Sequence, residues 1–191
     1  KLTTLNGIEH ELQAGQMMIC DEKCPIGVAG VMGGIDTEVS ASTKTILLEA
    51  AHFVNTSVRR TRKELRLQTE ASYRFERSVD PEGLWVAIDR FMQLYSEITG
   101  DIHAVQESSD LYPNPPEIQM ASVRPERAAK ILGIALTTDE AENCLIRLGF
   151  GVIRQKGSFQ VTIPSWRPDI EIEEDLIEEI GRVFGYEKIG E

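Results

Sequence analysis

Apolar and polar positions along this chain follow first one period and then another. The short apolar runs Gln16 to Cys20 and Ile26 to Val31, flanking Pro25, predict two buried strands around a turn. Met32-Gly33-Gly34-Ile35-Asp36 then reads as a glycine turn that lets a backbone approach a ligand. Thr45 to Ala51 predicts another strand, interrupted by a single carboxylate, Glu49. Asn55-Thr56-Ser57 suits the cap of a basic helix from Val58 to about Glu64. Gly83 to Ile98 places Leu84, Ala87, Ile88, Phe91, Leu94, Tyr95 and Ile98 at helical spacing, with Gly100 as its stop.

Three prolines at Pro113, Pro115 and Pro116 interrupt any helix or central strand, so the chain is divided there. The expected units are residues 1–112, a Pro-rich linker at 113–116, and residues 117–191. The second unit predicts a strand from Ile118 to Val123 and a helix from Arg124 to Leu132, with Pro125 in its first turn and Gly133 beyond its end. A helix from Thr138 to Leu148, capped by Thr138 and stopped by Gly149, leads to a hairpin. Its strands are Phe150 to Arg154 and Phe159 to Ile163, joined across Gln155-Lys156-Gly157. Strands and helices without strict alternation predict an α+β fold in two domains.

The last helical run separates into two faces. Successive residues turn by about 100°, so Leu176, Ile180, Val183 and Phe184 share one side, with Ile177 at its edge. Asp175, Glu178 and Glu179 fall opposite, and Asp169 lies six residues before Asp175. Such carboxylates suit hard-cation ligation, but most acidic helix faces bind nothing, and spacing alone favours a solvated face with Glu178 and Arg182 as a pair four apart.

Composition narrows the classes. Hydrophobic content of 41% and charged content of 27% are those of an ordinary globular chain. No run approaches about 18 apolar residues, so no membrane span is expected. The start at Lys1, without Met or a signal core, reads as an internal piece of a longer protein. Cys20, Cys24 and Cys144, with scattered His10, His52 and His103, make neither a disulfide framework nor a zinc pattern. Reduced thiols and a cytoplasmic setting follow. A net charge of −11 argues against nucleic-acid binding over the whole surface. Between Arg59 and Arg77, however, seven basic residues face three acidic ones, and Arg59, Arg60, Arg62 and Lys63 are candidates for RNA contact. The alternative there is a helix of internal pairs such as Arg60 with Glu64.

Several long segments together resemble one family. They are Ala29-Gly30-Val31-Met32-Gly33-Gly34, Leu47-Leu48-Glu49-Ala50-Ala51-His52-Phe53, and Thr69 to Pro81 with its Tyr73-Arg74-Phe75-Glu76-Arg77 centre. Pro164-Ser165-Trp166-Arg167-Pro168-Asp169 and Glu174 to Ile180, with Gly185-Tyr186, complete the set. They resemble the editing domain and the following domain of the beta chain of bacterial phenylalanyl-tRNA synthetase, in the family's order and over essentially the whole chain.

The resemblance implies hydrolytic editing of mischarged tyrosyl-tRNA(Phe). Glu49 would recognise the tyrosine hydroxyl, with Gly33 beside the pocket and Thr69 and Ala71 on its walls. It also implies that Asp169, Asp175, Glu178 and Glu179 bind Mg²⁺ near a partner alpha chain, in an α2β2 assembly acting on tRNA(Phe). ATP would be used by the full enzyme and not bound by this piece. Two departures matter: a family histidine segment is expected before Lys1, leaving the pocket incomplete, and Tyr73 stands where many relatives carry His. No Ser–His–Asp or Cys–His set is evident, so no general base is named. The competing reading is a non-catalytic tRNA-binding or subunit-assembly module.

Overall fold

The computed structural model describes residues 1–100 and 109–188. His103 lies outside the described residues. The fold is mixed helix and strand in two compact units, Lys1–Ile102 and His103–Glu191.

In the first unit, β1 (Leu2–Thr3) and β2 (Glu9–His10) form a short antiparallel ribbon. β3 (Met18–Cys20), β4 (Pro25–Val28) and β5 (Met32–Gly33) form an antiparallel meander in that order. The expected strands around Pro25 are present, and a bulge interrupts their register between Ile19 and Cys20. Gly34 requires its lack of a side chain, because an added Cβ would sit 2.7 Å from the Ile26 carbonyl oxygen. A bridge between Thr4 and Gly34 ties the ribbon to the end of the meander.

Thr45 to Ala51 does not form the expected strand. Its apolar residues satisfy strand propensity, but strand structure also needs a neighbouring backbone to complete the ladder. Leu47 is 94% exposed, so this run does not enter the core.

Helix α1 (Asn55–Glu64) starts earlier than expected, with Val54 in the cap position and no side-chain cap bond. The Asn55 side chain instead accepts from the adjacent Thr56 amide at 2.7 Å. Helix α2 (Glu70–Phe75) is closed by a capping box between Thr69 and Ser72. Leu2, Val28, Val31, Val58 and Leu67 form the core of this unit, with Phe53 and Phe75 packed against it. Helix α3 (Leu84–Thr99) ends at the left-handed Gly100 as expected, yet it buries none of its residues. Its amphipathic spacing produces the helix without supplying a partner for the apolar face.

The second unit holds β6 (Met120–Val123), α4 (Pro125–Leu132), α5 (Thr138–Arg147), β7 (Gly151–Gln155), β8 (Ser158–Thr162) and α6 (Glu173–Phe184). Its antiparallel sheet runs β6-β8-β7. The hairpin crosses at Gly157, whose φ of +81° suits glycine. The cap of α5 is Thr137 rather than Thr138: its hydroxyl accepts from the Glu140 amide at 3.2 Å, while Glu140 accepts from the Thr137 amide at 2.9 Å. Val123, Leu145, Phe159, Val161, Leu176 and Ile180 are at the centre of the core. Gly181 lets α6 approach α4 closely, since a Cβ there would meet Leu132 at 2.7 Å.

Candidate functional site

Glu49 sits in an irregular stretch between Thr43 and Val54. No hydrogen bond or ion pair joins it to any other described residue. The residue is exposed as a whole, while neighbouring atoms desolvate its carboxyl and raise its pKa above the ordinary glutamate value. The pairing with an arginine that would make Glu49 merely structural is therefore not seen among the described residues.

The other expected pocket residues have defined local roles. Gly33 is exposed at the end of the meander, and its carbonyl accepts from the Leu5 amide at 3.0 Å. The Gly34 amide donates to Ile26 at 2.7 Å, so it cannot also donate to a reacting carbonyl. The Thr69 hydroxyl donates to the Val31 carbonyl at 2.7 Å and accepts from the Ser72 amide at 3.0 Å. Ala71 is exposed on the first turn of α2. No hydrogen bond links Glu49 to Gly33, Thr69 or Ala71.

The basic stretch divides into committed and uncommitted cations. Arg62 is held by Glu76, both largely buried, and this pairing lowers the Glu76 pKa. Arg60 donates to the Gly15 carbonyl at 2.8 Å rather than to Glu64. Glu64 instead accepts from Gln16 at 3.0 Å. Arg77 lies 3.7 Å over the Tyr73 ring and also pairs with Glu76. Arg59 and Lys63 are exposed, one turn apart on α1, with no ion pair among the described residues.

On α6 the apolar face is as expected, with Leu176, Ile177 and Ile180 buried. The acidic face is not uniformly solvated: Glu179 is only 7% exposed. Arg167 donates to Asp169 at 2.6 Å and to Glu179 at 3.0 Å, and Arg182 also pairs with Glu179. Burial by itself would raise the Glu179 pKa, but the hydrogen bonds from Arg167 and Arg182 outweigh it and lower the value. Arg167 likewise lowers the Asp169 pKa. Asp175 accepts from the backbone amides of Glu171 at 2.8 Å and Ile172 at 2.9 Å, and its pKa falls for that reason. Glu178 is exposed.

These commitments decide the fit of a magnesium ion. Three of the four carboxylates are already neutralised or hydrogen-bonded, and a cation would have to displace guanidinium groups from two of them. Among the described residues, no group of three or more His, Cys, Asp or Glu side chains is gathered to hold a metal. The arrangement in this structure does not fit Mg²⁺. The sequence offered no signal for the Arg167–Glu179 pairing, which joins residues twelve apart. The Tyr73–Arg77 contact joins residues four apart, from the last turn of α2 to the turn just beyond its end.

Residues 1–100 match the B3/4 domain family, and residues 121–186 match the tRNA synthetase B5 domain. These two domains in order define a component of an aminoacyl-tRNA synthetase. The chain is 44% identical over 189 residues to the phenylalanine–tRNA ligase beta subunit of Salinibacter ruber, covering 99% of this chain and 23% of that protein. The corresponding subunits of Moorella thermoacetica and Carboxydothermus hydrogenoformans are 43% and 41% identical, over 99% and 97% of this chain and 23% of each relative. The chain belongs to the phenylalanine–tRNA ligase beta-subunit family, as its B3/4 and B5 domains. It spans about a quarter of the length of the curated relatives it matches. Among the described residues, no helix is long and apolar enough to cross a membrane.

Proposed function

We propose that the first unit hydrolyses tyrosine wrongly attached to tRNA(Phe), with Glu49 as the selecting group. The supporting observation is a desolvated carboxylate in an apolar run that has no partner among the described residues. A synthetic pocket shaped for phenylalanine rejects an isostere with one added hydroxyl by only about a hundredfold. A second site must reverse that preference. A carboxylate accepts a strong hydrogen bond from a phenol, whereas phenylalanine leaves it unpaired at a cost of about 1–3 kcal/mol. Water adds to the ester carbonyl, the bond to the ribose oxygen breaks, and tyrosine leaves as the free acid. A bound, correctly oriented ester needs little further activation.

The second unit is proposed to support the partner alpha subunit in a heterotetramer. Magnesium on the α6 acids would require Arg167 to release Asp169 and Glu179, and no chemical step is assigned to it. Two exposed free cysteines suit a reducing, cytoplasmic setting.

The test is Glu49→Ala in the intact two-chain enzyme. Hydrolysis of tyrosyl-tRNA(Phe) should fall by roughly tenfold or more relative to phenylalanyl-tRNA(Phe), in line with the unpaired-acceptor cost. Unaltered discrimination removes Glu49 from the role. The second reading, a non-catalytic tRNA-binding or assembly module, draws on the uncommitted cations of α1. It requires tRNA binding without hydrolysis in the same assay.

A further inference from the structure

We propose that Arg59, Lys63 and Arg66 form a phosphate-tracking surface for RNA at the C-terminal end of α1. The seven basic residues of this stretch are not equivalent. Arg60, Arg62, Arg74 and Arg77 are bonded to Gly15, Glu76, Glu70 and Glu76 respectively. Arg59, Lys63 and Arg66 are exposed and make no ion pair among the described residues. Arg59 and Lys63 lie one turn apart on α1, roughly 6 Å along the helix axis, and Arg66 follows just beyond the helix end, a spacing that suits successive phosphates on a strand.

Cations near a helix C-terminus are favoured by the last carbonyls, which accounts in part for Lys63. That explanation does not reach Arg66. Helix α1 ends at Glu64 with Leu65 as its cap, and Arg66 follows with φ of +53°. The bond from the Leu67 amide to the Arg62 carbonyl, at 2.9 Å, closes the helix over this left-handed residue. Glycine, or sometimes asparagine, is the residue that relieves such a position, and every other side chain is strained there. An arginine is therefore present against local backbone preference. In a chain with net charge −11, an unneutralised cationic strip is a local feature and not part of a generally basic surface. The choice of RNA as the polyanion rests on the tRNA reading above. The arrangement of the three cations does not.

The experiment measures binding of a tRNA(Phe) transcript to this 191-residue chain over a range of salt concentrations. The double substitution Arg59→Gln with Lys63→Gln should make the slope of log K against log salt shallower by about 1.4–1.8, and Arg66→Gly by about 0.7–0.9. Arg66→Gly should also leave the melting temperature unchanged or raise it, because glycine is unstrained at positive φ. Lys156→Gln, on the β7–β8 turn of the second unit, serves as the control and should leave the slope as it was. Unchanged slopes in all variants, an equal loss with Lys156→Gln, or no salt-dependent tRNA binding by the unsubstituted chain overturns the proposal. Hydrolysis is not read in this assay, so its failure leaves the role of Glu49 standing, and failure of the Glu49 test leaves this surface standing.

Discussion

Arg167 donates to Glu179 across 3.0 Å, joining the Pro164–Asp169 loop to the middle of the acidic helix. The same guanidinium also reaches Asp169, and Arg182 reaches Glu179 from one turn along α6. Two arginines and two carboxylates thus form a largely neutral cluster where the sequence alone shows only concentrated negative charge. The cluster also explains why a carboxylate lies almost fully buried beside Leu176 and Ile180.

Loss of Arg167 should leave Glu179 short of one partner in a nearly dry site. Arg167→Gln is expected to destabilise the second unit by roughly 1–3 kcal/mol, less than the loss of a sole partner because Arg182 remains. Chemical denaturation of both forms at neutral pH checks this. A change within experimental error would show that the pair contributes little.

Magnesium is expected to bind the chain by itself without saturation at the α6 acids, since guanidinium groups occupy Asp169 and Glu179. Calorimetric titration with magnesium chloride tests it. Saturable heats abolished by Glu179→Gln would contradict this expectation.

Glu173 links the starts of α4 and α6. Its carboxylate accepts from Arg124 at 2.7 Å and from Arg127 at 2.5 Å, and the Arg124 hydrogen bond is the main cause of a pKa lowered from 4.5 to about 2. A depressed folded-state pKa stabilises the fold above the unfolded value, and that contribution is lost as pH falls through the folded one. The gap in stability between the unsubstituted chain and Glu173→Gln should therefore be full above about pH 4.5 and close towards about pH 2. Its upper bound is about 3 kcal/mol. Denaturation series at several pH values give the curve, and a gap independent of pH would refute the linkage.

Thr69 ties α2 to the β4–β5 turn through Val31 and caps α2 through Ser72. Thr69→Val keeps the shape and removes both bonds, so the first unit should lose about 1–2 kcal/mol. Thr69→Ser should restore most of it. Thermal unfolding of the two variants separates this structural contribution from any effect on a substrate pocket.

Gly34→Ala should destabilise the first unit by about 1–3 kcal/mol, because the new methyl group would meet the backbone at Ile26, which has little room to move. A neutral result would mean that the chain just after β5 yields easily against β4. Unfolding midpoints provide the measurement.

The chain's own pattern was enough to locate the strands around Pro25, helices α1 and α3 to α6, and the β7–β8 hairpin. These rest on local rules: helical spacing, glycine at positive φ, and side chains that bond amides within three residues. The same local rules started α1 three residues late, at Val58 rather than Asn55, because its cap at Val54 makes no side-chain bond. They placed the cap of α5 one residue off, at Thr138 rather than Thr137, since two adjacent threonines compete for it and only the entering backbone selects between them. They also made a strand of Thr45 to Ala51, because propensity cannot report whether another backbone lies alongside. Which charges remained unpaired was decided by the tertiary structure. Arg60, Arg62 and Arg167 find partners 45, 14 and 12 residues away. Coulomb energies depend on spatial separation, so folding alone determined that Arg59, Lys63 and Arg66 stay uncommitted while Asp169 and Glu179 are answered by arginines.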